Sequence, residues 1–283
     1  MVSENLASLF PDDRLTGATT LRQAQLVMLR ILRIVDHLCR KHDIPYWLEA
    51  GTLLGAVRHQ GFIPWDDDVD IAMRREDFER FAAIAPRELP DDLFFQTAAT
   101  DAQYRYVLPK VRDRKSVLVE DRENVPYCQG IFVDVFPFDS YPNRAMMDVL
   151  TLRHRLRMYR KRFPPGSAGR AAYVAGLYTA GLPLILALYA AEWSIRRFRD
   201  TFCNKPGQEL LSRGVEFYTK PMHSIADVFP LTEVSFEGYK FLAPRKYHDY
   251  LQEKFGDYMK PPPEGQREGR HASRIVVDIT QGA

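Results

Sequence analysis

Apolar residues recur at Ala24, Val27, Met28, Ile31, Ile34, Val35 and Leu38, the three-and-four spacing that lays one side of a helix against a core. Thr20 stands ahead of them with Gln23 three residues on, the form of a capping box, so a helix is predicted from Thr20 to about Lys41. Ile44 to Ala50 is aromatic and apolar enough for a short strand, entered through Pro45 and ended at Gly51. Leu53 to His59 then reads as a short helix closed by Gly61, and Pro64 prevents its continuation. Val69 to Met73 reads as a strand, and Glu76 to Ala85 returns to helical spacing through Phe78, Phe81, Ala82 and Ile84.

Three β-rich pieces follow, at Tyr104 to Val111, Ser116 to Glu120 and Gly130 to Phe136. Near the C-terminus Phe236 to Phe241 alternates like a strand or hairpin, Tyr247 to Phe255 forms a short helix, and Pro261-Pro262-Pro263 ends regular structure. This order predicts an α/β (α+β) fold, a small mixed sheet flanked by helices, and disfavours an all-helical or all-β chain.

The middle of the chain differs. Met146 to Arg162 reads as a basic, Arg-rich helix, and residues 171–191 carry no charge. That length approaches the roughly 20 apolar residues of a bilayer crossing, but Gly176, Thr179, Gly181 and Pro183 interrupt it. A buried helical insertion is the expectation. A peripheral contact of 171–191 with the cytoplasmic face of a membrane is the alternative, suited by Arg170, Arg196, Arg197 and Arg199 on its flanks. Three regions follow: a catalytic core at 1–145, a helical, partly apolar insertion at 146–232, and a C-terminal segment at 233–283 that packs back on the core.

Composition narrows the function classes. The 283 residues carry a net charge of +2, too small for a bulk electrostatic case for nucleic acid, so any phosphate binding is local. Cys39, Cys128 and Cys203 are odd in number and far apart, which fits buried spacers in a reducing compartment and no zinc site. The N-terminus has no basic region followed by an apolar run, and a cytoplasmic location is expected.

Asp66-Asp67-Asp68-Val69-Asp70 puts four carboxylates in five residues. Such acids repel one another and belong on a solvated turn or around a cation. Phe62, Ile63, Trp65, Val69 and Ile71 frame them with apolar side chains that would anchor the segment in the core, which favours the cation. If the strand begins near Asp68, its period of two puts Asp68 and Asp70 on one face. An EF-hand is excluded, because Ile71 stands where the turn needs Gly and Asp77 where it needs Glu. Gly51-Thr52 lies at a strand-to-helix turn, a position from which backbone N–H groups and a hydroxyl meet phosphate, although most such turns are only turns. Asp134 is the one acid in the apolar run 130–137; a metal ion or a buried Arg would satisfy it.

A Gly-Thr turn after a strand, a short helix and an Asp-x-Asp strand resemble the polymerase-beta-like nucleotidyltransferase superfamily. The resemblance becomes specific in "GTLLGAVRHQGFIPWDDDVDIAMRREDFERF" (51–81) and "GIFVDVFPFD" (130–139), with "FEGYKFLAP" and "YLQEKFGDYMKPPP" near the end. These blocks are similar to the LicD family of phosphocholine transferases, related to fukutin and its homologues; residues 145–230 carry no motif of this kind. The resemblance implies Asp68, Asp70 and Asp134 as catalytic metal ligands, Asp66 as an additional ligand or substrate contact, and Gly51-Thr52 as the phosphate turn. Arg58, His59, Lys110 and Arg112 become candidate phosphate partners, each with an ordinary surface-charge role as the competing reading. Trp65 is expected in the core, with stacking on a base as the alternative.

The implied cofactor is Mg2+, with Mn2+ as the alternative. The implied reaction carries a phospho-alcohol from a CDP-alcohol donor, CDP-choline favoured, to a glycan or lipid-linked glycan acceptor, and nucleic acid is not a partner. A sugar hydroxyl would attack the phosphorus next to the alcohol, with Asp134 or Asp70 taking its proton and CMP leaving. A choline-bearing donor would want an aromatic or acidic cage, for which Tyr104, Tyr106, Tyr127, Phe136 and Phe138 are candidates. Two rival readings keep the same residues: a nucleotidyltransferase that consumes a nucleoside triphosphate, and a non-catalytic, membrane-docked scaffold whose acids only hold an ion.

Overall fold

The computed structural model describes residues 5–104, 106–120, 125–144, 168–179, 195–214, 217, 222–267, 269 and 272–280. Among them the elements run α1 (Leu6–Leu9), α2 (Thr20–Lys41), β1 (Trp47–Leu48), α3 (Ala50–His59), β2 (Asp70–Arg74), α4 (Arg75–Glu88), β3 (Leu93–Gln96), β4 (Lys110–Asp113), β5 (Val117–Val119) and β6 (Phe132–Tyr141). Then come α5 (Ala168–Thr179), α6 (Ile195–Phe202), β7 (Leu210–Arg213), β8 (His223–Ser224), α7 (Ile225–Val228), β9 (Thr232–Phe236), β10 (Tyr239–Ala243), α8 (Tyr247–Phe255) and β11 (Arg274–Val276). The mixed α/β architecture agrees with the expectation from the pattern. The chain divides into two compact units, 1–137 with 226–283, and 138–225.

In the first unit the sheet runs β1-β2-β6-β4-β3. β4 pairs antiparallel with β6, setting Lys110 opposite Asp134 and Arg112 opposite Phe132, and β3 pairs antiparallel with β4, setting Gln96 opposite Lys110. The Asp134 amide donates to the Val69 carbonyl at 2.8 Å, so the strand with the lone acid runs beside the end of the acidic loop. α2 supplies the core face: Ala24, Met28, Ile31, Ile34, Val35 and Leu38 are wholly buried. Removing one of these large aliphatic side chains would cost about 2–5 kcal/mol, the usual cost of a core cavity.

Several sequence expectations shift. The cap of α2 is Thr19, whose hydroxyl accepts from the Arg22 amide at 3.1 Å, while the Gln23 side chain bonds the Gly17 carbonyl; Thr20 is the first helical residue. α3 begins at Ala50, ahead of Leu53, and α4 reaches Glu88 with Pro86 inside its last turn. Among the described residues of 104–111, Lys110 and Val111 alone are strand, and the Tyr104 hydroxyl bonds the Leu108 carbonyl at 2.7 Å. β3 has no counterpart in the sequence reading.

The C-terminal elements of this unit join at three places. β9 and β10 form a hairpin whose two-residue turn, Glu237-Gly238, has φ of 51° and 80°, the doubly left-handed geometry of a tight hairpin. Glu237 then locks the loop ahead of the acids. Its carboxylate accepts from the Phe62 amide at 3.1 Å and from Arg22 at 2.6 Å, and its own amide donates to the Gln60 carbonyl at 2.9 Å. α8 reaches the strand-to-helix turn, where Tyr250 and Lys254 bind the fully buried Glu49. β11 pairs antiparallel with β5.

In the second unit residues 138–141 of β6 pair antiparallel with β7, and β7 with β8. Asn204 bridges there, donating to Asp139 and accepting from the Ser140 amide, each at 2.8 Å. Of the apolar stretch at 171–191, residues 171–179 lie in α5, and 180–191 fall outside the described residues, as does the basic stretch from Met146 to Arg162. No helix among the described residues is long and apolar enough to cross a membrane. Cys39 and Cys203 are buried and Cys128 is half-buried, all as free thiols.

Candidate active site

The site is built where the strand-to-helix turn at residue 50 meets the acidic loop. Ala50 takes φ of 47°, and α3 starts there with Glu49 in extended conformation as its cap. The Glu49 amide donates to the Asp70 carbonyl at 2.9 Å, and the Thr52 hydroxyl accepts from the Asp70 amide at 2.8 Å. Both bonds fix the first residue of β2. Thr52, expected at a phosphate, also accepts from the strand, a bracing role in addition to the one expected. Gly51 faces Asp66: a methyl group there would lie 3.0 Å from Asp66 Oδ2, so glycine lets the carboxylate approach the helix N-terminus, where the peptide dipoles favour an anion.

Carboxylate oxygens of Asp66, Asp67 and Asp68 lie within 4.8 Å of one another. Asp67, which had no assigned role, is 3% exposed and accepts from the Ala272 amide at 2.8 Å. Gln25 bonds the Asp66 carbonyl at 3.0 Å. Burial, then the charges of Asp66, Asp134 and Asp67, pushes the Asp68 carboxyl well above the usual range. Because β2 starts at Asp70, Asp68 lies in the loop just before the strand and the period-of-two argument does not apply to it. Asp70 is 7% exposed at the strand's first position.

Asp134 is 6% exposed, and its Oδ1 lies 2.7 Å from Lys110 Nζ. Burial raises its proton affinity, against the pull of Lys110. The pairing with a cation that the sequence left open is thus made by Lys110. Lys110 also meets Glu120 at 3.0 Å and sits 3.3 Å from the Phe132 ring centroid. Arg112 is fully buried; it donates to Gln96 and to the Gly130 carbonyl and pairs with Glu120 at 2.9 Å. Of the four candidate phosphate partners, these two are engaged within the sheet: Arg112 braces it and Lys110 holds Asp134. Glu120, which ties both together, was missed, although an acid ending the apolar run Val117-Leu118-Val119 was a readable signal.

Arg58 donates to the Tyr258 carbonyl at 2.7 Å and to the His59 ring at 2.9 Å. Burial, then Arg58, lowers the His59 pKa, so its ring is biased towards the neutral form. Trp65 is half-buried with the Arg267 guanidinium 5.5 Å from its ring centroid, a residue no local pattern singled out. Of the five candidate cage aromatics, Tyr104, Tyr106 and Tyr127 come together with ring centroids 5.5 to 6.1 Å apart. Glu120 raises the pKa of Tyr104 and of Tyr127, in both cases as a smaller cause than burial. Phe136 and Phe138 are buried, Phe138 in the second unit.

Comparison with known proteins places these residues in a family. Residues 43–165, which hold the whole acidic loop, Asp134 and Glu120, match LicD/FKTN/FKRP, nucleotidyltransferase domain. The lipopolysaccharide cholinephosphotransferase LicD of Haemophilus influenzae is 29% identical over 281 residues, 91% of this chain and 98% of its own length. The ribitol 5-phosphate transferase FKRP of Mus musculus is 33% identical over 113 residues, 40% of this chain and 20% of its own. An uncharacterized protein of Rickettsia prowazekii, RP689, is 47% identical over 124 residues, 44% of this chain and 43% of its own. The acidic loop and the turn that seats it thus lie within a stretch, residues 43–165, that matches the LicD/FKTN/FKRP nucleotidyltransferase domain, and the chain is similar along most of its length to one LicD cholinephosphotransferase.

Proposed function

We propose that the chain is a metal-dependent transferase that moves phosphocholine, or a related phospho-alcohol, from a CDP-activated donor to a sugar of a cell-surface glycan or its precursor, with release of CMP. The observation that carries the reading is the convergence of the carboxylates of Asp66, Asp67 and Asp68 within 4.8 Å, in the domain shared with two phospho-alcohol transferases. The donor set fits a hard divalent cation such as Mg2+ or Mn2+: every candidate ligand is a carboxylate oxygen, and the crowding that raises the Asp68 pKa is what such an ion relieves. When bound, the ion would neutralise and orient the diphosphate.

The rest falls to the protein's own groups. Thr52 and Glu49 hold Asp70 at the head of β2, and Lys110 holds Asp134 beside it in the sheet. Of the two candidates for the base, Asp70 and Asp134, Asp134 has a carboxyl whose proton affinity burial raises, which suits it to accept the proton of the attacking hydroxyl. Choline is favoured among the alcohols because Tyr104, Tyr106 and Tyr127 gather beside the anionic Glu120, and aromatic faces with a nearby anion attract a quaternary ammonium.

A turnover assay with CDP-choline, CDP-glycerol, CDP-ribitol and CTP, with Mg2+ or EDTA and with glycan acceptors supplied, tests this. Metal-dependent CMP release from one CDP-alcohol, lost in Asp70→Ala, is the expected result. Pyrophosphate from CTP would replace the reading with nucleotidyl transfer, and silence with every donor would leave an ion-holding scaffold.

A further inference from the structure

Resting on the diphosphate-donor reading, we propose that Arg58 and Arg267 form a clamp for the diphosphate of a nucleotide-activated donor, Arg267 being delivered to the acidic loop by the C-terminal segment. Arg58 is fixed on α3 by the Tyr258 carbonyl and the His59 ring. Arg267, 209 positions later in the chain, bonds the Pro262 carbonyl through Nε at 2.9 Å, which leaves both terminal nitrogens of its fork for other partners, and its guanidinium stacks near Trp65, the residue before Asp66. Neither arginine has a carboxylate within ion-pair distance among the described residues.

The two guanidiniums are tied to carbonyls only four positions apart, Arg58 to that of Tyr258 and Arg267 to that of Pro262, so both cations sit along one short stretch of the tail. After burial, Arg267 is the main influence that lowers the proton affinity of Arg58, while Asp66 acts in the opposite sense. Bringing like charges together at a half-buried position is unfavourable unless an anion settles between them. The position of Arg267 is not left to a loose tail. The Ala272 amide holds Asp67 at 2.8 Å, Ser273 bonds the Val119 carbonyl at 2.8 Å, and β11 continues along β5. Gly269 passes so near the loop that a methyl group there would lie 2.9 Å from Asp67 Oδ2 and 3.3 Å from the Trp65 carbonyl. A planar guanidinium held against an aromatic face presents its fork in a fixed direction, the geometry that phosphate oxygens accept in pairs. Arg267 so placed beside the acidic loop, with the half-buried Arg58 of α3 as the second cation, suits a diphosphate that arrives with a cation of its own.

CDP binding in Mg2+ buffer, followed by calorimetry for the native chain, Arg267→Gln, Arg267→Lys and Arg58→Gln, tests the clamp. Each glutamine variant should weaken CDP by about tenfold or more, as loss of a charge-assisted contact does. Arg267→Lys should recover part of the loss, and CMP should be affected less than CDP. Turnover of CDP-choline by Arg267→Gln should show a raised KM with the preference for CDP-choline over CDP-glycerol unchanged. Thermal unfolding of each variant separates loss of binding from loss of fold, and Arg58→Gln reports on the clamp even if Arg267→Gln does not fold. Native-like CDP affinity in both glutamine variants overturns the proposal, and so does a native chain that binds no CDP. CDP binding lost in the variants without turnover of any CDP-alcohol by the native chain sinks the transferase reading alone; CMP release with unaltered binding in the variants sinks the clamp alone.

Discussion

The first unit holds two clusters of acids, and they are built on opposite principles. At Asp113, which is fully buried, Arg14 supplies two bonds of 3.0 and 2.7 Å and also grips Asp12 and the Val277 carbonyl. Burial works against both charges there, yet hydrogen bonds to Arg14 bring the Asp12 carboxyl below its usual range, and those to Asp12 and Asp113 hold Arg14 protonated. At Asp68 burial acts in the same direction as Asp66, Asp134 and Asp67, and the carboxyl is pushed up. One cluster closes its own charge balance and serves the fold. The other keeps three carboxylates within 4.8 Å of one another, the crowding that the proposed cation would relieve.

The comparison can be broken in four ways. The largest expected effect is on turnover: Asp68→Asn should lower CMP release on the order of a thousandfold or more, as loss of a group that organises the phosphoryl-transfer site does. An Asp68→Asn enzyme within tenfold of native would move the site away from this loop. Next is stability. Asp113→Ala leaves Arg14 buried without one of its three partners and should cost about 3–5 kcal/mol in urea unfolding, with activity per folded molecule unchanged. A cost below about 1 kcal/mol would mean that the Arg14 lock is not structural. Third, Asp68→Asn should stabilise the chain in EDTA by about 1 kcal/mol, a rise of roughly 2–4 °C in Tm, because it removes one of the repelling charges. A fall in Tm would show that the cluster serves the fold after all.

The smallest effect concerns Glu120, whose pKa Lys110 and Arg112 lower against the opposing effect of burial. A lowered folded pKa gives stability that is present above the unfolded carboxylate value and is lost as pH falls through the folded one. Because 34% of its side chain is exposed, Glu120→Gln should cost only about 0.5–1 kcal/mol at neutral pH. The difference from native should vanish below the carboxylate range. A gap that persists there in urea unfolding would make the contact one of packing rather than charge.

The sequence announced the acidic loop and hid the Arg14–Asp113 lock. Asp66 to Asp70 is conspicuous because like charges adjacent in sequence stay adjacent in space, and α2 was readable because its core face repeats every turn. Arg14 and Asp113 are 99 residues apart, and nothing local marks either as the other's partner. The same holds for β3, whose Leu93 to Gln96 is strand because β4 lies beside it, and for Arg267, whose only distinction is where the tail carries it. Lys110 and Arg112 were visible as cations, but their occupation by Asp134, Glu120, Gln96 and Gly130 depends on sheet order, which local periodicity does not encode.

The bond from the Ala272 amide to Asp67 spans 205 positions, and this has a consequence for how the protein is made. A ribosome adds roughly 5–20 residues per second, so the acidic loop waits on the order of 10–40 s for the segment that flanks it. During that interval the loop, α3 and the first strands can already be in place, with their carboxylates crowded and their late neighbours still unsynthesised. The order of synthesis therefore puts the chain's most strongly charged loop within reach of cellular cations before the tail that carries Arg267 exists.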